Sequence, residues 1–267
     1  MNRIEKLFLN KKNTHKKVLA GFLTAGDPHL SATLKFVAAL EKGGVDLIEL
    51  GMPFSDPMAD GPVIQRADER ALKAKTHLKT ILGLVQKIRV RSQIPILLMG
   101  YYNPIFKFGV KHFVASAKKV GVDGLLIVDL PPDEAKVLHQ ECRRQNLNLI
   151  FLLAPTSDES RMKQVAKLAS GFIYFVSLTG ITGAKLTQSA KIFSLVPKIK
   201  KISKLPVMVG FGIKDAVTAK KLAGVGDGIV VGSALVQIIE KFSPKIAAKK
   251  LQVFAHRLSN VILKPAG

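Results

Sequence analysis

Residues 47–62 of the chain read Leu-Ile-Glu-Leu-Gly-Met-Pro-Phe-Ser-Asp-Pro-Met-Ala-Asp-Gly-Pro. The apolar start of this stretch is typical of a buried strand, and a loop rich in Pro, Asp and Gly follows Gly51. Alternation along the strand places Leu47, Glu49 and Gly51 on one face. An ionised carboxylate inside an apolar strand costs on the order of several kcal/mol unless it is solvated or hydrogen-bonded. Glu49 is therefore a candidate for acid/base chemistry.

The strand at 45–50 is one of eight short, continuous apolar runs along the chain. Such runs are typical of strands that are buried on both faces. The other seven cover residues 18–25, 94–101, 124–130, 148–153, 171–178, 206–211 and 228–232. Segments with helical periodicity lie between them. A weak Gly-Val-Asp repeat at 43–46, 121–124 and 224–228 indicates similar turns from a helix into a strand.

Eight buried strands alternating with helices predict an α/β fold, a (β/α)8 TIM barrel that forms a single domain over residues 1–267. Residues 2–10 are expected to form a short N-terminal helix that caps the barrel floor. The alternative is an open doubly wound sheet, but no Gly-x-Gly-x-x-Gly follows the first strand. Pro197 predicts that its helix starts late or bends. The basic amphipathic stretch from Ser233 to about Leu263 is expected to complete the outer ring.

The formal charge of +22 and the pI near 10.1 are the unusual bulk properties. The basic residues are spread over the predicted helices, whereas a nucleic-acid site concentrates its charge on one face. No nucleic-acid partner is therefore expected, although a barrel that binds polyanions stays open as an alternative. No apolar stretch is long enough to span a membrane. The N-terminus lacks the apolar region of a signal peptide, and the single cysteine, Cys142, can form no internal disulfide, so a cytoplasmic location is expected.

The active site of such a barrel lies at the carboxyl ends of its strands. Three glycine-bearing turns follow the last three strands, and the final one opens a predicted helix. Glycine allows close backbone approach, and a helix N-terminus offers N–H groups to an anion, so a phosphate site is expected there. The alternative is that these are ordinary tight turns, with Ser233 a simple N-cap. The turns are Thr179–Gly183, Gly210–Gly212 and Gly232-Ser233.

Carboxylates are the best candidates for proton transfer. Lys185 and Lys214 lie in predicted loops and are weak candidates for a Schiff base. No His or Cys residues have metal-ligand spacing, so no metal site is expected. Glu49 is the first choice for acid/base work. Asp60 is either its partner or an ordinary solvated loop residue.

The stretch from Leu47 to Pro62 closely resembles the signature of the tryptophan synthase alpha chain family. Further matches fall in family order along the chain, at residues 22–28, 101–104, 174–177, 180–184, 210–213 and 232–234. The resemblance implies a lyase of tryptophan biosynthesis that cleaves indole-3-glycerol phosphate to indole and glyceraldehyde 3-phosphate. It implies no cofactor in this chain.

The resemblance also implies roles for individual residues. Glu49 would shuttle protons, and Asp60 would accept the indole N–H and stabilise positive charge on the ring. Phe22 would line the indole pocket, and Tyr174 would form a hydrogen bond near Glu49. Thr182 and Gly183 would belong to a closing loop. The phosphate would be held by Gly183, Phe211, Gly212, Gly232 and Ser233.

The family's alpha chain docks on a beta chain that carries pyridoxal phosphate, in an alpha2-beta2 heterotetramer. Asp56, Asn103 and Asp129 match positions near that contact. The strongly basic charge is a departure that concerns docking more than chemistry. Another phosphate-binding barrel, such as a sugar-phosphate isomerase or decarboxylase, is the alternative among enzymes. The Glu49 and Asp60 pair beside an apolar pocket favours an indole substrate.

Overall fold

The computed structural model describes residues 1–176, 185–210, 212–213 and 215–262, with the backbone alone for residues 185–193. Eight parallel strands in this part of the chain close into a barrel in sequence order, and the last strand pairs with the first. The (β/α)8 prediction is confirmed. The strands are β1 (Val18–Thr24), β2 (Leu47–Gly51), β3 (Ile96–Gly100), β4 (Gly124–Ile127), β5 (Asn148–Leu153), β6 (Ile173–Val176), β7 (Val207–Gly210) and β8 (Gly228–Val231).

Twelve helices of the described chain surround the strands. Apolar faces of these helices pack on the outward-facing strand residues and form the main core, which includes Cys142. The helices are α1 (Arg3–Asn13), α2 (Leu30–Lys42), α3 (Pro62–Lys73), α4 (Leu78–Arg89), α5 (Tyr102–Phe108), α6 (Val110–Val120), α7 (Lys136–Arg144), α8 (Glu159–Leu168), α9 (Lys185–Ser203), α10 (Ala216–Ala223), α11 (Ser233–Lys241) and α12 (Pro244–Ile262). Within the described ranges, no helix is long and apolar enough to cross a membrane.

Helix α1 closes the amino-terminal end of the barrel. Ile4 and Phe8 are buried among the inward-facing strand residues, which form a second, smaller core. Asn2 caps the helix, because its side chain accepts from the backbone N–H groups of Ile4 and Glu5. The expected N-terminal helix therefore forms and caps the barrel floor.

Two other helical regions can be compared with their expectations, a late start or a bend at Pro197 and a stretch after Ser233 that completes the outer ring. Helix α9 begins at Lys185 and includes Pro197, so the helix does not start late. The stretch after Ser233 forms two helices, because the chain becomes extended at Phe242 before Pro244 opens α12. Proline has no N–H to donate but fits the first turn of a helix, which explains this position of the break.

The Gly-Val-Asp repeat marks three equivalent turns at the barrel floor. Its aspartates, Asp46, Asp123 and Asp227, directly precede β2, β4 and β8. Each accepts a backbone N–H near the start of the neighbouring strand, from Leu19, Ile96 and Val207 at 2.9, 2.9 and 2.8 Å. Each also contacts a cationic side chain, from Lys11 for the first, Arg3 and Arg89 for the second, and Lys200 for the third. The repeat thus stabilises the floor.

Candidate active site

Glu49 lies on the inner face of β2, two residues before the strand ends at Gly51. Its pairing partner on the neighbouring strand β1 is Phe22, and Glu49 is only 1 % exposed. Its Oε1 atom is buried and has no hydrogen-bond partner in the described part of the chain. Burial, together with the nearby charge of Asp60, raises the pKa of Glu49 to about 8. A carboxyl group with this pKa can both donate and accept a proton near neutral pH.

Asp60 lies at the end of the loop that follows β2, where Tyr101 holds it. The Tyr101 hydroxyl donates to Oδ2 of Asp60 at 2.7 Å and accepts the backbone N–H of Ala59 at 3.0 Å. The ring of Phe54 packs on that of Tyr101, with centroids 5.1 Å apart. Burial raises the pKa of Asp60, and the Tyr101 hydrogen bond opposes this rise. Asp60 is therefore a partly buried, anchored carboxylate, unlike an ordinary solvated loop residue.

Tyr174 reaches the same cavity from the inner face of β6. Burial raises the pKa of its hydroxyl well above the usual value, as do the charges of Glu49 and Asp60, so the hydroxyl keeps its proton. Within the described residues, no hydrogen bond joins Tyr174 to Glu49 in this structure. Gly210 on β7 has a packing role that the sequence did not indicate, because a Cβ there would collide with the Tyr174 ring.

The amino-terminal end of α11 opens into the cavity on the side of β7 and β8. Gly232 occupies the N-cap position and Ser233 is the first helical residue, so the N-cap alternative for Ser233 is wrong. At Gly212, φ is +20°, and apart from its chain neighbours no atom of the described residues lies within 4 Å of an added Cβ. A helix N-terminus without a capping side chain is suited to bind an anion.

One cavity of about 720 Å³ brings together seven of the residues singled out from the sequence. They are Phe22, Glu49, Asp60, Tyr174, Gly212, Gly232 and Ser233. Thr182, Gly183 and Phe211 lie outside the described residues. In the described ranges, no group of three His, Cys, Asp or Glu side chains is arranged to hold a metal ion.

The three candidate partner residues lie at the same end of the barrel but do not line this cavity. Asp56 is exposed in the loop after β2, Asn103 is in α5, and Asp129 accepts the backbone N–H of Tyr102 at 2.8 Å. Two large apolar side chains are exposed in the same two segments: Met58 is 86 % exposed and Phe106 is 66 % exposed.

Sequence reasoning missed a charged network between α3 and α11. Two of the guanidinium nitrogens of Arg70, Nε and Nη2, donate to the buried carboxylate of Asp27, each at 2.8 Å. Arg70 and Arg66 also donate to Glu240 on α11. The partners are 43 to 174 positions apart, so no local pattern indicates the network.

Sequence reasoning also missed Asp68, which is buried on α3 and 4 % exposed. The Thr24 hydroxyl donates to its Oδ1 at 3.4 Å. Burial and the charge of Asp60 raise the pKa of Asp68 to about 8. A charged residue inside an otherwise charged helical segment, Arg-Ala-Asp-Glu-Arg, gives no signal of burial.

Comparison with known proteins agrees with this geometry. A sequence profile described as "Tryptophan synthase alpha chain" matches residues 8–262. Tryptophan synthase alpha chains from Geotalea uraniireducens and Geotalea daltonii are each 54 % identical to this chain; the matches cover 91 % of both chains for the first, and 97 % of this chain and 98 % of the relative for the second. The crystal structure of tryptophan synthase subunit alpha from Legionella pneumophila str. Paris superposes with a TM-score of 0.91 at 39 % identity, covering 98 % of each chain. A ligand-free structure of tryptophan synthase from M. tuberculosis gives a TM-score of 0.89 at 31 % identity, covering 99 % of this chain and 100 % of that chain. The chain therefore belongs to the tryptophan synthase alpha chain family.

Proposed function

We propose that this chain cleaves indole-3-glycerol phosphate to indole and glyceraldehyde 3-phosphate in the cavity at the carboxyl end of the barrel. The observation that carries the proposal is Glu49. It is a buried carboxyl with a pKa near 8, one of its oxygens has no hydrogen-bond partner among the described residues, and a second, anchored carboxylate lies nearby. A retro-aldol cleavage of this kind needs proton transfers at two substrate atoms, and the site offers a group for them.

Glu49 is proposed to move both protons. Protonation of indole C3 precedes cleavage, because the ring must accept the bonding electrons of the carbon–carbon bond when it breaks. The glycerol hydroxyl next to that bond loses its proton as the aldehyde forms. A group with a pKa near the working pH can serve in both steps.

Asp60 is proposed to stabilise the charge that develops on the indole ring. Protonation at C3 makes the ring cationic and its N–H more acidic. An anchored carboxylate that accepts this N–H stabilises the cation more than the neutral ring, which is an electrostatic contribution to the transition state. The Tyr101 hydroxyl fixes the carboxylate in position before substrate binds.

The substrate's two ends would then contact different groups of residues in the cavity. Phe22 provides an apolar wall beside Glu49 for the ring, and Tyr174 provides a protonated hydroxyl. The phosphate is proposed to lie at Gly212, Gly232 and Ser233, where α11 begins. By resemblance, Gly183 and Phe211 would complete this phosphate site, and Thr182 would belong to the loop that closes over it.

A beta chain is the proposed partner, in an alpha2-beta2 assembly located in the cytoplasm. Asp56, Asn103 and Asp129 are the proposed contact residues. The exposed Met58 and Phe106 side chains support a docking surface there, because interface cores are enriched in Met and aromatic residues. Pyridoxal phosphate is expected on the beta chain only, and indole would pass to it. No step proposed for this chain uses an organic cofactor or a metal.

The test is indole release from indole-3-glycerol phosphate by the purified chain, with and without a beta chain. We expect slow release that rises sharply when the beta chain is added. The Glu49→Gln variant, measured in parallel, separates turnover by this site from a contaminant. No indole under either condition, in a folded sample that still binds phosphate esters, would overturn the proposed reaction.

A further inference from the structure

The loop between β2 and α3, residues 52–61, carries the proposed charge-stabilising residue Asp60. It is attached to the barrel at several points. The backbone N–H of Met52 donates to the Met99 carbonyl at 2.7 Å. At the other end, Ala59 and Asp60 are both bonded to the Tyr101 hydroxyl. The middle of the loop, at Phe54, lies against a residue that the proposed mechanism does not use.

That residue is Asp68. Its carboxyl group accepts a hydrogen bond from the Thr24 hydroxyl on β1 at 3.4 Å, and the backbone amide of Phe54 faces the same carboxyl group. Asp68 is almost completely buried, and with Asp60 it lines a small cavity beneath the main one. One side chain on α3 therefore joins the loop to the end of the first strand.

We propose that Asp68 is a positioning residue that holds the 52–61 loop, and with it the Asp60 carboxylate, in the orientation needed for catalysis. This inference rests on the proposed function, because it assigns Asp68 an effect on turnover through Asp60. Asp68 is not among the described residues that line the 720 Å³ cavity. The geometry of the loop is independent of that function.

The protonation state of Asp68 affects the strength of this attachment. The titratable groups that face it are Asp60 on the loop, Asp27 after β1 and Tyr101 after β3, and Asp27 is itself paired with Arg70. Burial and the two carboxylates keep Asp68 neutral at pH 7. Above its pKa, a second negative charge appears beside Asp60 and opposes the close packing of the loop.

Hydrogen exchange measured by mass spectrometry tests the attachment directly. We expect Asp68→Ala to lower the protection of amides in residues 52–61 about tenfold at pH 7, while amides of the barrel strands keep theirs. Asp68→Asn retains an acceptor and should lie between parent and Ala. The matched control is Asp227→Asn, at the opposite end of the barrel, where the carboxylate contacts the Val207 N–H and Lys200 and neither Asp68 nor the loop; it should leave loop protection within twofold.

The pH dependence separates an ionising group from a passive packing residue. Measurements in the Glu49→Gln background remove the titration of the neighbouring buried acid. After correction for the intrinsic exchange rate, protection of the loop should fall between pH 7 and pH 9 when Asp68 is present. It should stay constant in Glu49→Gln/Asp68→Asn. Equal pH dependence in both would overturn the role of Asp68 ionisation.

A double-mutant cycle links the loop to turnover. Asp68→Ala should lower kcat about tenfold in the parent but less than twofold in the Asp60→Asn variant, because Asp68 acts through Asp60. Equal losses in both backgrounds would overturn the positioning role. If the parent released no indole, the proposed reaction would fail, whereas the exchange comparison would still decide the attachment of the loop. Thermal unfolding of each variant confirms that the fold persists.

Discussion

The two ends of the barrel hold their carboxylates in different environments. At the floor, Asp46, Asp123 and Asp227 each have a backbone N–H and a cationic side chain as partners. At the mouth, Asp27 also has a cationic partner, Arg70, but among the described residues Glu49 has an oxygen without a hydrogen-bond partner and Asp68 forms no ion pair. The comparison shows that partners, more than residue type, decide whether an acid stabilises the barrel or remains available for proton transfer.

The largest effect is expected for Glu49→Gln, which tests proton transfer at the mouth of the barrel. Glutamine keeps the shape of the side chain but cannot transfer a proton, and general acid–base catalysis contributes about 10²- to 10⁴-fold. We expect turnover of indole-3-glycerol phosphate to fall by about 10³-fold or more, with the circular dichroism spectrum unchanged. A variant that keeps full indole release would remove Glu49 from the mechanism.

The floor is tested by Asp123→Ala. Arg89 is largely buried and would lose its ionic partner, while the Ile96 N–H would lose its acceptor. Removing one partner of a buried pair costs about 3–5 kcal/mol. We expect that loss in urea denaturation, with kcat retained by the folded fraction. Asp46→Ala, at a more exposed ion pair, is the control with a smaller loss. Loss of kcat in well-folded Asp123→Ala would contradict the division between the two ends.

Asp60→Asn tests the electrostatic role of the second carboxylate at the mouth of the barrel. An amide can still receive the Tyr101 hydroxyl but carries no negative charge for the indole cation. Removing one preorganised electrostatic contact typically costs about 10²- to 10³-fold in kcat. We expect a decrease near the lower value, with a smaller change in KM, in steady-state assays of indole release. An unchanged kcat would reject the electrostatic role.

The pH dependence of stability gives the smallest expected effect. The pKa of Glu49 is raised from 4.5 to about 8 on folding, so the folded state retains a proton that the unfolded state releases. The contribution of Glu49 to the free energy of unfolding is full below about pH 4.5 and decreases as the pH rises towards 8. Glu49→Gln removes this loss and should be more stable than the parent at pH 6 by roughly 2 kcal/mol. The two proteins should converge near pH 4. A parent that is the more stable at pH 6 would show that Glu49 has a partner there.

Local patterns were sufficient for the strands and for the placement of the mouth residues. Each strand matched an apolar run, and the strand ends brought Glu49, Tyr174 and Gly232 to one cavity because parallel strands share a carboxyl end. The Gly-Val-Asp repeat was correctly interpreted as a turn. Its stabilising contacts were not predictable, because each involves a strand and a cation from elsewhere in the chain.

The rest of the site depends on long-range geometry. Asp27 meets Arg70 only after the barrel closes, and Arg70 then reaches Glu240 on the penultimate helix. Gly210 lies in a turn that the sequence predicted to bind a ligand. In the structure, its lack of a side chain accommodates the Tyr174 ring of the neighbouring strand. Asp68 lies in a charged helical segment whose burial no periodicity shows. These features require distances that sequence spacing does not contain.

The pairing of β1 with β8 has a consequence for synthesis of the chain. Val18 pairs with Gly228, so the first strand has no neighbour on one side until nearly the whole polypeptide has left the ribosome. Contacts of such long sequence separation form slowly, and until then the growing sheet has two open edges that can pair with other chains. Fragments that end before Gly228 should therefore aggregate, whereas the complete chain removes both edges in a single closure.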